Sequence, residues 1–256
     1  MFLPRGTLFR SLLADPKELR FYLGYRPHQD GSPYLSENTT IFAAGLGDSF
    51  GLYRSVDNSG GYSWQVGISG GIFAEFDLNT SSFFLVETDY VIGVPVTLRK
   101  GPASYRLTMY HLSSHVGDEY LLHSDIRRIE FSYEALNALG SYEWGPWRIY
   151  YGGEVVVHKQ PSSYKPFSLQ TGVEYYGAQK AIWGAQPIAG LDLRSTQQNS
   201  WPVNASLKIG LRFDGAAGSG RSLRLMAEGY NGYAPHGQFY SDRIEYIGVG
   251  LSLDFE

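Results

Sequence analysis

Three polar residues near the middle of the chain have the types and spacing of a nucleophilic hydrolase. His111 and Ser113 stand two positions apart, and residues i and i+2 of a strand share a face, so a base and a hydroxyl would lie side by side. A serine hydroxyl is a weak nucleophile until a histidine takes its proton. The histidine in turn needs a third group to fix its tautomer and offset its charged form. Asp125 is the candidate for that role, on the adjoining strand. Two other readings fit the same stretch. His111, His115, Asp118 and Glu119 or His123 could hold a metal ion, but residues four apart on a strand are about 13 Å apart, so the chain would have to turn at Ser114. The cluster could also be a polar rim whose members bond one another and lipopolysaccharide sugars.

These residues depend on the strands that carry them. From Val203 to Asp214 one face holds Val203, Ala205, Leu207, Ile209, Leu211 and Phe213, and the other Asn204, Ser206, Lys208, Gly210, Arg212 and Asp214. Lys and Arg alternating with aliphatics cannot sit in a strand buried on both faces, but they suit a barrel with an apolar outside and a polar lumen. The same period recurs in Trp64–Phe76, Tyr90–Leu98, Trp147–Val157 and Ile247–Phe255. Turn signals divide the 256 residues into twelve expected strands near 20–26, 38–55, 62–76, 83–99, 103–115, 123–143, 147–157, 167–176, 181–194, 203–213, 221–230 and 242–255. Short connections alternate with longer polar ones, as short periplasmic turns alternate with external loops in outer-membrane barrels. Alternation alone also fits a soluble lipocalin-like barrel or two-sheet sandwich with its apolar face inward, and ten or fourteen strands are alternatives to twelve; glycine and tyrosine richness, long strands and loop-length asymmetry favour the membrane form. The expected fold is therefore all-β, a transmembrane antiparallel barrel over residues 19–256 preceded by a periplasmic segment, 1–18, whose Leu12–Pro16 fits a short turn or helix at the periplasmic mouth or a partial plug.

Composition bounds the function classes. Charged residues make up 18%, below the roughly 25% usual in soluble domains, with 15% aromatic residues and 31 Gly. No run of about 18 apolar residues offers a spanning helix. A net charge of −4 gives no basic surface for nucleic acid, and the absence of Cys excludes disulfides and thiolate metal sites. The start, Met1-Phe2-Leu3-Pro4-Arg5, is read as what remains after removal of a signal peptide.

Parity then assigns faces. Tyr105, Leu107 and Met109 face outward, so His111, Ser113 and His115 continue on that side. On the next strand Ile129, Phe131 and Tyr133 are assigned outward as well, and Asp125 and Arg127 with them. The expected lumen charges include Glu75, Glu87, Asp89, Arg106, Arg128, Glu130, Glu134, Arg148, Glu154, Lys208 and Arg212. They would line a pore or pair across a closed interior, which keeps a porin-like channel or a structural barrel as the competing function.

The pair His111-x-Ser113 with Asp125 resembles outer-membrane phospholipase A and the lipid A 3-O-deacylase, barrels with a His-x-Ser pair on the outer face and an Asn or Glu about fourteen positions after the histidine. The resemblance implies ester hydrolysis of phospholipid or lipid A, with Ser113 as nucleophile, His111 as base and Asp125 as orienting group. It also implies a calcium-dependent homodimer, to which Asp118 and Glu119 could supply oxygens. Where those enzymes carry Asn after the serine, this chain has Ser114. The closing residues, with Gly250, Leu253 and Phe255, resemble the carboxy-terminal signal of bacterial outer-membrane proteins. More of the chain resembles an uncharacterised family of such proteins through Leu13-Ala14-Asp15-Pro16, Phe50-Gly51-Leu52-Tyr53-Arg54 and His111-x-Ser113-Ser114-His115-x-Gly117-Asp118-Glu119.

Overall fold

A computed structural model describes residues 1–30, 39–124, 128–216 and 220–255. The strands are β1 (Phe21–Gln29), β2 (Thr39–Ser55), β3 (Ser63–Asp77), β4 (Phe84–Lys100), β5 (Ala103–Val116), β6 (Phe131–Trp144), β7 (Trp147–Gln160), β8 (Phe167–Tyr176), β9 (Gln186–Thr196), β10 (Val203–Asp214), β11 (Arg221–Tyr233) and β12 (Arg243–Phe255). Each pairs antiparallel with its sequence neighbours, and β1 closes on β12 from Phe21↔Leu253 to Tyr25↔Val249. Closure leaves no unpaired edge, which is what a backbone in hydrocarbon requires.

Period-two alternation fixes the two faces. On β10, Val203, Leu207 and Ile209 are exposed outside while Asn204, Ser206 and Lys208 are buried inside. On β4, Tyr90, Ile92, Val94, Val96 and Leu98 are exposed, and Asp89 and Thr97 are buried. The outer surface is therefore a continuous apolar band, suited to acyl chains. Both termini and the tight turns 101–102 and 145–146 lie at one end of the barrel, the turn end, and the long connections 117–130 and 234–242 at the other, the loop end.

The β5–β6 region departs from the sequence reading. The chain leaves β5 through a one-turn helix, α1 (Asp118–Leu122), and β6 begins at Phe131, not near 123. The assigned faces of β6 are also inverted. Phe131 and Tyr133 are 5% and 9% exposed and stack inside with Tyr110, Tyr164 and Tyr240. Glu134, expected in the lumen, points outward. Arg128 and Glu130, also expected there, are exposed residues before the strand. The cause is that aromatic side chains fill this part of the lumen, so "apolar outside" fails locally. The expected strand 181–194 is likewise displaced, to Gln186–Thr196.

The lumen is filled from both ends. Residues 9–20 enter from the turn end, with Leu12, Leu13 and Ala14 fully buried, while Phe2 pairs with Tyr53 at the end of β2 and stays exposed. Arg20 donates to the carbonyls of Leu12, Leu13 and Asp15 at 2.6, 3.0 and 3.2 Å. The Leu13 N–H donates to Glu174 Oε1 at 2.6 Å, and Gly190 gives room to the Leu13 and Ala14 side chains. Arg106 joins Glu18 at 2.6 Å and Lys17 joins Asp89 at 2.5 Å. From the loop end, residues 234–242 fold inward: the Gly237 N–H reaches Asp89 at 3.2 Å and Gln238 Nε2 the Ser114 carbonyl at 2.7 Å. Wall charges pair as well, Arg148 with Glu174 at 3.0 Å, Arg194 with Glu154 at 2.9 Å and Lys208 with Glu228 at 3.0 Å. A cavity of about 410 Å³ remains beside these segments.

Candidate active site

On β5 the even-numbered residues Ser104, Leu112 and Ser114 are buried, while Tyr105, Leu107 and Met109 are exposed. His111, Ser113 and His115 share the parity of the exposed set and continue on the outer face, in the half of β5 nearer the loops. The His111 side chain is 43% exposed. Register pairs His111 with Ile92 on one side and Glu134 on the other, and Ser113 with Tyr90 and Ser132.

That register creates a contact the sequence reading did not contain. His111 Nδ1–H donates to Glu134 Oε1 at 2.8 Å. Fixing Nδ1 as the protonated nitrogen leaves the Nε2 lone pair to accept a proton. Ser113, two residues along on the same face, is about 6.6 Å away along the strand, within reach of side-chain contact. No hydrogen bond joins Ser113 Oγ to His111 among the described residues, and such bonds often tighten only with substrate in place. Asp125 lies outside the described residues.

Glu134 has a second partner. β7 carries an extra residue opposite β6, since Ala135 pairs with Val156 and Glu134 with His158. This bulge at Val157 turns His158 outward, where its Nδ1–H donates to Glu134 Oε2 at 2.6 Å. One carboxylate thus holds two imidazoles in the surface of the barrel. Beside the cluster the outer wall has a shallow apolar depression bounded by Leu46, Ile72, Tyr90, Ile92 and His111. The lumen cavity lies across the wall from it.

The metal reading finds less. Asp118 and Glu119 are adjacent, exposed residues of α1. Calcium takes six to eight oxygens, and no third acidic or histidine residue gathers with these two among the described residues, so they do not by themselves fit a calcium cage. His123 Nδ1 meets the Glu119 carbonyl, and the His115 ring packs edge-on against Tyr90. Among the described residues, Glu75, Glu87 and His236 form the one group of three with converging ligand atoms, and it is in the lumen.

Neither Glu134 nor His158 was foreseen. A signal for His158 is present in Val155-Val156-Val157, where three β-branched residues break the alternation and mark a bulge. Glu134 had no such signal, because its neighbour Tyr133 looks like the membrane-facing residue.

Comparison with known proteins supports the architecture. Residues 1–255 match the model of a family described as "Protein of unknown function (DUF1207)". No curated protein matches the chain. Among solved structures, outer membrane phospholipase A from Escherichia coli is similar with a TM-score of 0.64 at 16% identity, over 92% of this chain and 90% of that one. The Salmonella typhi outer membrane phospholipase, solved as a dimer with bound calcium, gives 0.64 at 15% identity, over 94% of each chain. The β domain of the Bordetella autotransporter BrkA gives 0.50 at 14% identity, over 91% and 96%. At these identities the likeness is one of fold, that of an outer-membrane barrel.

Proposed function

We propose, for a chain that belongs to the family of unknown function DUF1207, that this barrel sits in the bacterial outer membrane and hydrolyses lipid esters in the outer leaflet. The turn end, where the N-terminal segment enters the lumen, then faces the periplasm, and the substrate is phospholipid or lipid A. Ser113 is the nucleophile, His111 the general base, and Glu134 the orienting carboxylate in the role first given to Asp125. The observation that carries this reading is the 2.8 Å bond from His111 Nδ1 to Glu134 on an outward face that also presents Ser113. The exposed apolar side chains Ile72, Tyr90 and Ile92 beside His111 are support of a second kind, as a surface that an acyl chain would meet. The fold shared with two outer-membrane phospholipases is compatible with the same chemistry.

The steps follow from the side chains. His111 Nε2 takes the Ser113 proton as Oγ attacks the ester carbonyl, and the Glu134 carboxylate offsets the imidazolium that forms. The tetrahedral intermediate collapses, and the lipid alcohol leaves with the proton returned by His111. Water, deprotonated by the same Nε2, then cleaves the acyl-serine to release the fatty acid and restore the hydroxyl. The competing channel function has less room: residues 9–20 and 234–242 occupy part of the lumen, and Arg106, Arg148, Arg194 and Lys208 are each paired with a carboxylate.

The test is ester release from phospholipid and from lipid A by refolded protein in detergent, with and without calcium. Native mass is measured alongside, because the phospholipase resemblance implies a calcium-dependent homodimer. Wild type should hydrolyse one of the two, and Ser113→Ala should lose that activity by about 10⁴-fold or more. Absence of hydrolysis, or hydrolysis indifferent to Ser113→Ala, overturns the proposal.

A further inference from the structure

His158 has no part in the reaction just described, yet the chain departs from regular strand geometry to place it. On β7, Arg148, Tyr150, Glu154 and Val156 are buried in the lumen, so an uninterrupted strand would send His158 inward with them. The extra residue at Val157 reverses its direction. The side chain is 76% exposed on the outer face, and its Nδ1 is 2.6 Å from the Glu134 oxygen that His111 does not use. The bulge and the hydrogen bond are separate observations, and both aim the ring at the same carboxylate.

Among the described residues the charged and titratable neighbours are few. β5 contributes His111, with His115 further along against Tyr90. β6 contributes Glu134. β7 contributes His158 itself and Lys159, whose Nζ is drawn away to the Tyr164 carbonyl. The cluster is therefore one carboxylate between two imidazoles.

We infer that His158 is a positioning residue for the hydrolysis proposed above, holding Glu134 toward His111. The inference rests on that hydrolytic reading. The His158 N–H fixes Glu134 Oε2, so that Oε1 stays on His111 Nδ1 and the carboxylate's charge is in place to offset the His111 imidazolium of the transition state.

The experiment is kcat and KM for wild type, His158→Gln and His158→Ala, with barrel folding of each checked by heat-modifiable gel mobility. His158→Ala should lose about tenfold or more in kcat with KM unchanged, from one missing bond to a charged group, whereas His158→Gln, which keeps an N–H donor for Glu134, should restore the kcat of wild type. Wild-type kcat in His158→Ala, or an equal loss in both variants, overturns the inference while leaving the hydrolytic reading intact. Absence of hydrolysis in wild type removes both together.

Discussion

At the scale of the residue, the question is which carboxylate serves His111. Glu134 is bonded to it at 2.8 Å, so Glu134→Gln should keep the shape of the site and remove the charge that offsets the imidazolium. The expected cost is on the order of 10²–10⁴ in kcat, with KM little changed, while Asp125→Asn should change kcat by no more than about twofold. Initial rates on the same ester decide it, and a collapse in Asp125→Asn with Glu134→Gln unharmed reverses the assignment. His-x-Ser was legible in the sequence because i and i+2 on one strand need no tertiary information. The Glu134 partner was not, because the pairing of β6 with β5 is set across the connection 117–130, whose length fixes no register. His158 required a bulge, which a triple valine suggests but does not prove.

At the scale of the element, the loop 234–242 is held in the lumen by charge. His236 lies between Glu75 of β3 at 2.8 Å and Glu87 of β4 at 3.0 Å, with Lys17 of the N-terminal segment 3.2 Å away. Lys17 also pairs with Asp89, and Arg26 of β1 with Glu75. Three carboxylates thus face Arg26, Lys17 and His236. Burial pulls the imidazole down, but Glu75 and Glu87 outweigh burial and Lys17 and push it up to about 9. A group whose value rises from 6.5 to about 9 on docking holds the loop fully below 6.5 and releases it as pH climbs through about 9. The contribution is on the order of 3 kcal/mol. Protease cleavage within 234–242, followed from pH 6 to 10, should rise across that window in wild type. In His236→Gln the loop should be cut readily throughout, and a flat, resistant wild type rejects this account of the loop. The strands of β3, β4, β10 and β12 were legible almost to the residue, since each alternates over most of its length; β4 does so from Asp89 on, past a bulge at Val86. The inward fold of this loop was not, for it depends on charges from four separate elements meeting in space.

At the scale of the whole molecule, the alternating pattern determined the barrel but was silent on what fills it. Leu12–Pro16 reads in the sequence as a turn or helix at the mouth or as a partial plug, and its burial against Glu174, Gln170 and Gly190, which selects the plug, needs the closed wall around it. What the pattern does demand is a solvent for the outside. Ile209 is 53% exposed at the middle of β10, Val203 is 61% exposed at its loop end, and the residues between them on the same face are apolar. If lipid covers this face, the cost of a charge depends on depth. Ile209→Arg should lower the unfolding free energy in lipid vesicles by about 2–4 kcal/mol, and Val203→Arg by about 0–1 kcal/mol, as measured by denaturant titration. Water would make the two substitutions nearly equal and cheap, since both side chains already stand outside the packed lumen. Equal, small losses would therefore reject the membrane-embedded barrel itself, and with it any role for His111, Ser113 and Glu134 on lipid.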